Sequence, residues 1–535
     1  MDIKIIGRRL SGYLRRSQEC QPKGAPEEEG PPVHSGDAIV LDEGARFEVA
    51  GPAVGLARWM PIQHCSEQRH SIILRAGDEL TFSDELSVGK DFSLYIRYAA
   101  GLPEISADGL VCEIIVGMRG HEYETILALP VSGGKQDGEW RVAQLDLGWL
   151  AGSSISVGMR CMPGPQNDPS ADWLAVSEFC IARKNKLALT QARSFAEIRI
   201  KNEIEHFSNV YKHEMYTNVQ GRLAENVKAG GSEIARTVRR VTWRDRPEAV
   251  DTPQLELLAD IAPVQDESPY DYASRLLGRQ IAQRPPNFAA RLKSRTANGP
   301  VRVLSLCSGA ARIEAGFAAQ VGDLAEWTLL DINSDLLRMA AQQFPRSVKV
   351  DLIEANVNEL SNFGEKWDII LCVSALHHIV ELERLFGFCH ASLSEGGEFW
   401  SIGENIGRNG NRLWPDAMDA ANTFFSQLPE RLRLNRHTGT VDHTIPDKDY
   451  SAGCFEGIRS EDIESTLDTW FQQDHIYRLN CFLWRIINLA YSDNYALKNP
   501  EDRMWIHKAV QAECTCFRNG GRGTELHGVY RPRMI

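Results

Sequence analysis

The clearest pattern of hydrophobic positions lies between residues 301 and 403, where continuous apolar runs alternate with amphipathic stretches. The apolar runs predict strands, at 301–306, 327–331, 348–357, 367–373 and 398–403. Residues 334–344 and 382–393 lie between these runs and space their apolar side chains at helical intervals. Strands that are apolar on both faces and alternate with helices form parallel sheets covered by helices on both sides. We therefore predict an α/β fold with a doubly wound, mostly parallel sheet.

Residues 37–184 follow a different rhythm, with short runs of alternating hydrophobicity broken by Gly, Asp and Pro. These runs predict strands, at 92–98, 110–118, 124–130, 140–147, 155–161 and 173–182. Short strands at this spacing are typical of two packed antiparallel sheets. We predict an all-β sandwich domain in front of the α/β domain.

Two further stretches flank the predicted sandwich. Residues 1–36 combine a basic segment with a tail rich in Pro, Glu and Gly. The apolar residues within 1–16 fall near helical spacing among Lys and Arg, which suits a frayed terminus or a helix on an anionic membrane surface. Residues 185–298 are helix-like and strongly charged, so we interpret them as a helical linker that could also pair two subunits. The α/β domain then occupies 299–535.

Composition narrows the class of protein. The chain has 535 residues, 43% of them hydrophobic, and a net charge of −13. That hydrophobic share excludes a globally disordered chain, and no apolar run approaches the ~18 residues of a spanning helix. The acidic balance argues against a nucleic-acid partner, although the arginines at 236–246 keep a local contact open. We expect a cytoplasmic protein with reduced cysteines, with peripheral contact to the inner membrane through residues 1–16 as the second interpretation.

The turn after the first α/β strand carries candidate chemistry. Gly309 follows that strand directly and lets the backbone approach a ligand. Asp331 lies 22 residues later, at the predicted tip of the second strand, where a carboxylate can accept both ribose hydroxyls of a nucleoside. These two features alone fit an NAD enzyme and an S-adenosylmethionine enzyme equally well.

Five motifs in chain order resolve this ambiguity. They are the turn at 307–311, Asp331, Ala-Asn-Val at 355–357, the fourth strand continuing into Ser-Ala-Leu-His-His, and the Gly-Gly turn at 396–397. Together they resemble the Rossmann-like class I S-adenosylmethionine-dependent methyltransferases. The resemblance implies S-adenosylmethionine as cofactor, with Asp331 at the ribose and Asn356 at the adenine. It implies cofactor contacts from nine positions: Ser305, Cys307, Gly309, Ala311, Asp331, Ile332, Asn356, Val357 and Ser374.

The glycine-rich loop departs from the pattern of that family, acid-x-Gly-x-Gly-x-Gly. Ser305 replaces the acid whose hydrogen-bond network holds the methionine amino group, and Cys307 and Ala311 replace glycines. We expect Ala311 to adopt a negative φ and Cys307 to narrow the space near the cofactor. The departures leave open an alternative function, a catalytically degenerate fold that serves as a glycan-binding scaffold. An NAD(P)-linked enzyme is disfavoured because Gly-x-Gly-x-x-Gly is absent.

The acceptor is suggested by resemblances outside the core motifs. Segments 403–407, 411–414, 428–434, 456–463 and 484–489 resemble a bacterial methyltransferase subgroup often found with glycosyltransferases in polysaccharide pathways. The sandwich resembles jelly-roll carbohydrate-binding modules in its rhythm. These resemblances imply a glycan or other small-molecule acceptor and O-methylation of a sugar hydroxyl. Nucleic-acid amino methylation is not expected, because no Asn/Asp-Pro-Pro-aromatic tetrad follows the fourth strand.

A sugar hydroxyl is barely acidic, so a general base should assist its attack. His377 and His378 follow the predicted fourth strand and Glu404 follows the fifth, which makes them the catalytic candidates. Side chains suited to a sugar or an anion supply the substrate candidates, Asn411, Arg412, Trp414 and Arg459. No metal site is predicted; His437, Asp442 and His443 have a permissive spacing but lack a supporting carboxylate pattern.

Overall fold

The computed structural model describes residues 38–534 apart from 43–44, 53–57, 65–66, 102–108, 119–121, 132–139, 165–166, 168, 170–171, 194, 213–260, 266, 281–284 and 361–363. The predicted basic segment at 1–36 and the arginines at 236–246 lie outside the described residues. The same holds for residues 213–260 of the stretch proposed to pair subunits. The chain divides into two compact units, Met1–Arg199 and Ile200–Ile535. We call them the β unit and the α/β unit.

The β unit contains two antiparallel sheets. Its strands are β1 (Ile39–Val40), β2 (Phe47–Ala50), β3 (Arg58–His64), β4 (Glu67–Arg75), β5 (Glu79–Phe82), β6 (Leu86–Ser87), β7 (Phe92–Ala100), β8 (Leu110–Met118), β9 (Glu124–Val131), β10 (Arg141–Asp146), β11 (Ser154–Pro163) and β12 (Trp173–Arg183). One sheet has the order β10-β7-β12-β4-β3, with β1 on β12; the other has the order β2-β5-β11-β8-β9, with β6 on β11. Buried Leu94 and Ile96 from the first sheet share a core with Ile114 and Val157 from the second. The predicted sandwich architecture is therefore present, and its jelly-roll character stays a prediction.

The α/β unit is built on one seven-stranded sheet. Its strands are β13 (Val301–Leu306), β14 (Ala325–Asp331), β15 (Val350–Glu354), β16 (Trp367–Val373), β17 (Leu393–Asn405), β18 (Phe471–Leu479) and β19 (Glu525–Pro532). The strand order is β15-β14-β13-β16-β17-β19-β18. Strands β13 to β17 are parallel, and β19 runs antiparallel to both β17 and β18. The order reverses at β13, which is where such sheets bind ligands.

Helices cover this sheet and complete the unit. In chain order the helices of the described chain are α1 (Leu187–Arg193), α2 (Ala196–Lys212), α3 (Pro269–Gln280), α4 (Phe288–Thr296), α5 (Arg312–Val321), α6 (Ser334–Gln343), α7 (Leu382–Ser392), α8 (Pro415–Phe425), α9 (Ile463–Trp470), α10 (Leu483–Ile487) and α11 (Pro500–Arg518). Helices α3 and α4 fall in the segment that the sequence assigned to a linker, yet both lie in the core. Leu276 belongs to the same buried apolar cluster as Phe425, and Phe288 packs with Trp400. Within the described residues, we find no helix that combines the length and the apolarity needed to cross a bilayer.

Candidate active site

A cavity of about 320 Å³ opens at the carboxyl ends of β13, β14, β15 and β16. Its wall includes every predicted cofactor residue except Ser305. One side is formed by Ile200, Glu203, Ile204 and Phe207 of helix α2, a helix that the sequence presented only as a charged run. Of the catalytic candidates, His378 reaches the wall. The parallel strands thus bring together residues that are far apart in the chain.

The loop after β13 has an alternating left-handed backbone. Cys307, Gly309 and Ala311 have φ values of 49°, 50° and 48°. These are the three positions where the resembling family carries glycine. The expectation of a negative φ at Ala311 is therefore wrong. The loop therefore has the shape that glycines would give it, although two of the three residues carry side chains. Each of these two residues pays roughly 1–2 kcal/mol for the left-handed conformation.

A carboxylate stands beside Ser305 after all, and it comes from the next helix. Ser305 donates a hydrogen bond of 2.7 Å from Oγ to Oε1 of Glu314, in the first turn of α5. Both side chains are buried, and Glu314 also lines the cavity. Burial raises the pKa of Glu314 to about 7, against the lowering effect of the Ser305 hydrogen bond. The sequence analysis missed Glu314, although an acid in a first helical turn is a recognisable signal.

Asp331 connects the first two strand tips. Its Oδ2 accepts a hydrogen bond of 2.8 Å from the backbone N–H of Gly309, and its Oδ1 accepts one of 2.8 Å from that of Asn333. Burial raises the pKa of Asp331, and these backbone donors lower it in part. Asn356 caps the short helical turn Val357–Glu359, and its Nδ2 donates to Glu359. The predicted ribose and adenine positions thus line one cavity, and their roles stay predictions.

The histidine pair lies in the turn Leu376–His378 that follows β16. Glu404, near the end of β17, accepts hydrogen bonds from the backbone N–H groups of Ala375, Leu376 and His377. Its Oε1 also lies 2.5 Å from Nδ1 of His377. Glu404 is 0% exposed and does not line the cavity, so it positions His377 rather than facing a ligand.

Charge compensation shifts the pKa values of this buried pair. Burial lowers the pKa of His377, but the nearby carboxylates outweigh it and raise that pKa to about 10. Burial raises the pKa of Glu404, but the charge and hydrogen bond of His377 and the backbone donors shift it downward overall. The two groups therefore form an ion pair inside the unit.

Two further glutamates contact the histidines. Nδ1 of His378 contacts Oε1 of Glu203 from α2. Glu456 approaches both rings, with Oε1 3.5 Å from Nε2 of His377 and Oε2 3.4 Å from Nε2 of His378. Asn411 donates a hydrogen bond of 2.6 Å from Nδ2 to Glu456. The sequence analysis missed both glutamates, although Glu456 begins the 456–463 segment that it singled out.

The four substrate candidates lie outside the cavity wall. Arg412 donates from Nε to the carbonyl of Asn409, and Arg522 stacks 3.6 Å from the ring centroid of Trp414. Arg459 is 4% exposed and forms ion pairs with Glu383 and Asp462. Asn411 donates a hydrogen bond to Glu456, as described above. These contacts are structural, and a role of any of the four in acceptor binding stays a prediction.

Comparison with known proteins gives one family match. Residues 303–397 match the family model described as a methyltransferase domain. No curated protein sequence matches the chain. The matched segment contains the glycine loop, Asp331, Asn356 and the histidine turn.

Among solved structures, the chain is similar to several methyltransferases at low overlap. A methyltransferase from Clostridium acetobutylicum is 20% identical, with 23% of this chain and 53% of that chain covered and a TM-score of 0.20. A glycopeptide N-methyltransferase in complex with S-adenosylmethionine is 16% identical, with 26% and 58% covered and a TM-score of 0.20. A plantazolicin methyltransferase is 12% identical, with 45% and 80% covered and a TM-score of 0.26. The chain thus spans little more than half of the first two structures, and assignment rests on the family match and the strand order. Residues 303–397 thus match a methyltransferase domain and lie on the parallel strands of a Rossmann-like sheet.

Proposed function

We propose that the α/β unit is an S-adenosylmethionine-dependent methyltransferase whose cofactor occupies the cavity at the ends of β13 to β16. The observation that carries the proposal is the junction of Gly309 and Asp331, which joins a left-handed turn to a buried carboxylate at the reversal point of the sheet. Bound S-adenosylmethionine supplies an electrophilic methyl group on a sulfonium. Asp331 would hold the ribose, and the backbone around Asn356 and Val357 would hold the adenine.

The charge of the cavity supports this cofactor over a dinucleotide. Three carboxylates line the wall, from Glu203, Glu314 and Asp331, against one guanidinium, that of Arg312. S-adenosylmethionine carries positive charge on its sulfonium and its amino group, whereas NAD(P) carries an anionic pyrophosphate. An acidic wall attracts the first and repels the second.

Glu314 supplies the acid that position 305 lacks. In the resembling family, the acid at that position holds the methionine amino group through its hydrogen-bond network. Here Ser305 donates to Glu314, which delivers a buried carboxylate to the same place from α5. We propose that Glu314 holds the amino group in its stead. The altered loop then retains its function with the charge moved nine residues along the chain.

We further propose a neutral sugar hydroxyl as acceptor, placed beside His378. His378 and Phe207 line the cavity together, with ring centroids 5.6 Å apart. An aromatic face next to a polar group suits a ligand with both apolar and hydroxyl surfaces. The nearby Glu203 and Glu456 disfavour a phosphate or carboxylate acceptor by charge repulsion. The resemblance to glycan-associated methyltransferases and the β unit support the sugar class.

Calorimetric titration of the full chain with S-adenosylmethionine tests the proposal. Asp331→Asn keeps the size of the side chain but removes its charge and one of the two oxygens that accept backbone N–H groups, so we expect at least roughly tenfold weaker binding. Asp335→Asn serves as the matched control, because Asp335 is an exposed acid four residues away. Absence of binding by the folded wild-type protein would refute the proposal and favour the scaffold alternative. If S-adenosylmethionine binds, assays of methyl transfer to defined oligosaccharides would identify the acceptor.

A further inference from the structure

Two histidine rings and one glutamate converge beside the cavity. Ligand atoms of His377, His378 and Glu456 all lie within 4.8 Å of one another. We propose that these three residues bind a divalent first-row transition-metal ion. The site differs from His437, Asp442 and His443, the set whose sequence spacing is permissive.

The distance from each histidine to Glu456 is close to the distance between two ligands of such an ion. Nε2 of His377 lies 3.5 Å from Oε1 of Glu456, and Nε2 of His378 lies 3.4 Å from Oε2. These separations exceed the ~2.7–3.2 Å of a good hydrogen bond. Ligands bound at about 2.0–2.2 Å in tetrahedral geometry stand about 3.4 Å apart. The groups are therefore spaced as ligands rather than as hydrogen-bond partners.

The opposite nitrogen of each ring is held by a second carboxylate. Nδ1 of His377 lies 2.5 Å from Glu404, and Nδ1 of His378 contacts Glu203. Histidines that bind metal characteristically donate their other ring N–H to a carboxylate, which fixes the ring and presents the free nitrogen to the ion. His377 shows that arrangement, His378 has an ion-pair contact to a carboxylate through the corresponding nitrogen, and both rings present Nε2 to Glu456.

Glu456 is also fixed in position. Asn411 donates to its Oε1 at 2.6 Å. The next residue, Gly457, has a φ of 72°, and a Cβ there would lie 2.2 Å from the backbone N of Asn411. Only glycine allows the two loops to approach so closely. The third ligand is thus preorganised by its own loop.

Charge balance favours a cation at this point. Glu203, Glu404 and Glu456 surround the two imidazoles, so their three carboxylates outnumber the one positive charge of the His377–Glu404 ion pair in a largely buried cluster. A divalent ion that replaces the Nε2 proton of His377 reduces the excess negative charge from two to one. Two imidazoles with one carboxylate suit Zn²⁺, Fe²⁺, Co²⁺ or Mn²⁺.

The metal site does not depend on the proposed methyl transfer; only a catalytic role of the ion rests on it. His378 lines the cavity, so an ion bound there would stand at the acceptor end. A bound ion lowers the pKa of a hydroxyl that it coordinates. His378, the candidate base of the sequence analysis, would then serve as a ligand.

The inference is tested by calorimetric titration of the full-length protein with Zn²⁺ after a chelator has removed bound metal. The visible spectrum of the protein with added Co²⁺ is a second readout. We expect one ion per chain. His378→Ala and Glu456→Gln should weaken binding at least roughly 100-fold, and Glu404→Gln about 10–100-fold as a positioning residue. The double variant His437→Ala/His443→Ala is the matched control and should bind as wild type. Far-ultraviolet circular dichroism checks that each variant is folded.

Either of two results overturns the inference. One is the absence of stoichiometric binding by folded wild-type protein, which would make the cluster an internal ion-pair network. The other is binding that survives in Glu456→Gln but is lost in the His437/His443 double variant. Because binding of S-adenosylmethionine is measured separately, failure of the metal site and failure of the proposed function give different results.

Discussion

Replacing Glu314 by Gln asks whether this residue supplies the acid that Ser305 does not. The substitution keeps the side-chain volume and an acceptor for the 2.7 Å hydrogen bond from Ser305, and removes only the charge. A hydrogen bond from a charged amino group to a carboxylate contributes about 1.5–3 kcal/mol. We therefore expect binding of S-adenosylmethionine at pH 8 to weaken about 10- to 150-fold.

The pKa of Glu314 makes this loss depend on pH. With a pKa raised to about 7 by burial, the carboxyl group is mostly protonated at pH 6 and mostly ionised at pH 8. The ionised fraction then changes about tenfold across this interval, and so does the affinity of any ligand that needs the charge. The ratio of the variant and wild-type dissociation constants should fall about tenfold from pH 8 to pH 6. Titration of the ligand's own amino group cancels in this ratio.

Calorimetry at pH 6, 7 and 8 measures the ratio, with Glu326→Gln, a partly exposed position on β14, as the control. The double variant Ser305→Asp/Glu314→Gln moves the carboxylate to the position used by the resembling family and should regain most of the affinity at pH 8. Ser305→Asp alone should not improve binding, because two carboxyl groups in contact cannot both ionise freely. A Glu314→Gln variant that binds like wild type at pH 8, or a ratio independent of pH, would refute the reasoning.

Three further predictions concern stability and the proposed metal site. Ala315→Gly should destabilise the protein by about 1–2 kcal/mol more than Ala311→Gly in calorimetric unfolding. The reason is that Ala311 has a φ of 48°, a left-handed conformation that glycine adopts without the strain of a side chain. Equal losses of stability would contradict the presence of strain at Ala311. Gly457→Ala should destabilise the protein more than Gly439→Ala and should weaken Zn²⁺ binding. Both glycines have a φ near 72°, but only at position 457 would a Cβ lie 2.2 Å from a backbone atom. An unchanged Zn²⁺ affinity would show that the close approach of the two loops does not position Glu456. Arg291→Ala should lower the free energy of unfolding by about 1–3 kcal/mol, because it removes the two hydrogen bonds of an ion pair with buried Glu398. Arg338→Ala removes an exposed ion pair and should lower it by at most about 0.5 kcal/mol. Similar losses for the two variants in chemical unfolding would contradict this prediction.

The cofactor half of the site could be predicted because its determinants are local. Buried parallel strands are continuously apolar, so β13 and β16 have the predicted bounds, 301–306 and 367–373. The residues after them follow in fixed order, and the sheet brings Gly309 and Asp331 into contact. The same reasoning did not find β18, an antiparallel edge strand that needs no continuous apolar run, or β19, whose apolar residues are interrupted by His527 and Gly528.

The part of the site proposed for the acceptor could not be predicted, because its residues meet only through tertiary structure. Glu203 and Glu456 are 253 positions apart and contact the same histidine. Glu203 lies in a charged helix that has the pattern of a solvated face. Conversely, Arg459 has the residue type of an anion site, but its guanidinium is held by two acids inside the unit. Residue type indicates what a side chain can do, and only its neighbours decide whether it is available to a ligand.

The enclosed carboxylate of Glu404 has a consequence for motion. It accepts the amide hydrogens of three consecutive residues, 375–377, and that of Asn405. These amides cannot exchange with solvent one at a time, because releasing any of them exposes a buried charge. The histidine turn should therefore open only together with the ends of β16 and β17, on the slow timescale of the sheet. We therefore expect the histidine turn to keep its conformation when a ligand binds, and conformational change to be confined to residues on the opposite side of the cavity.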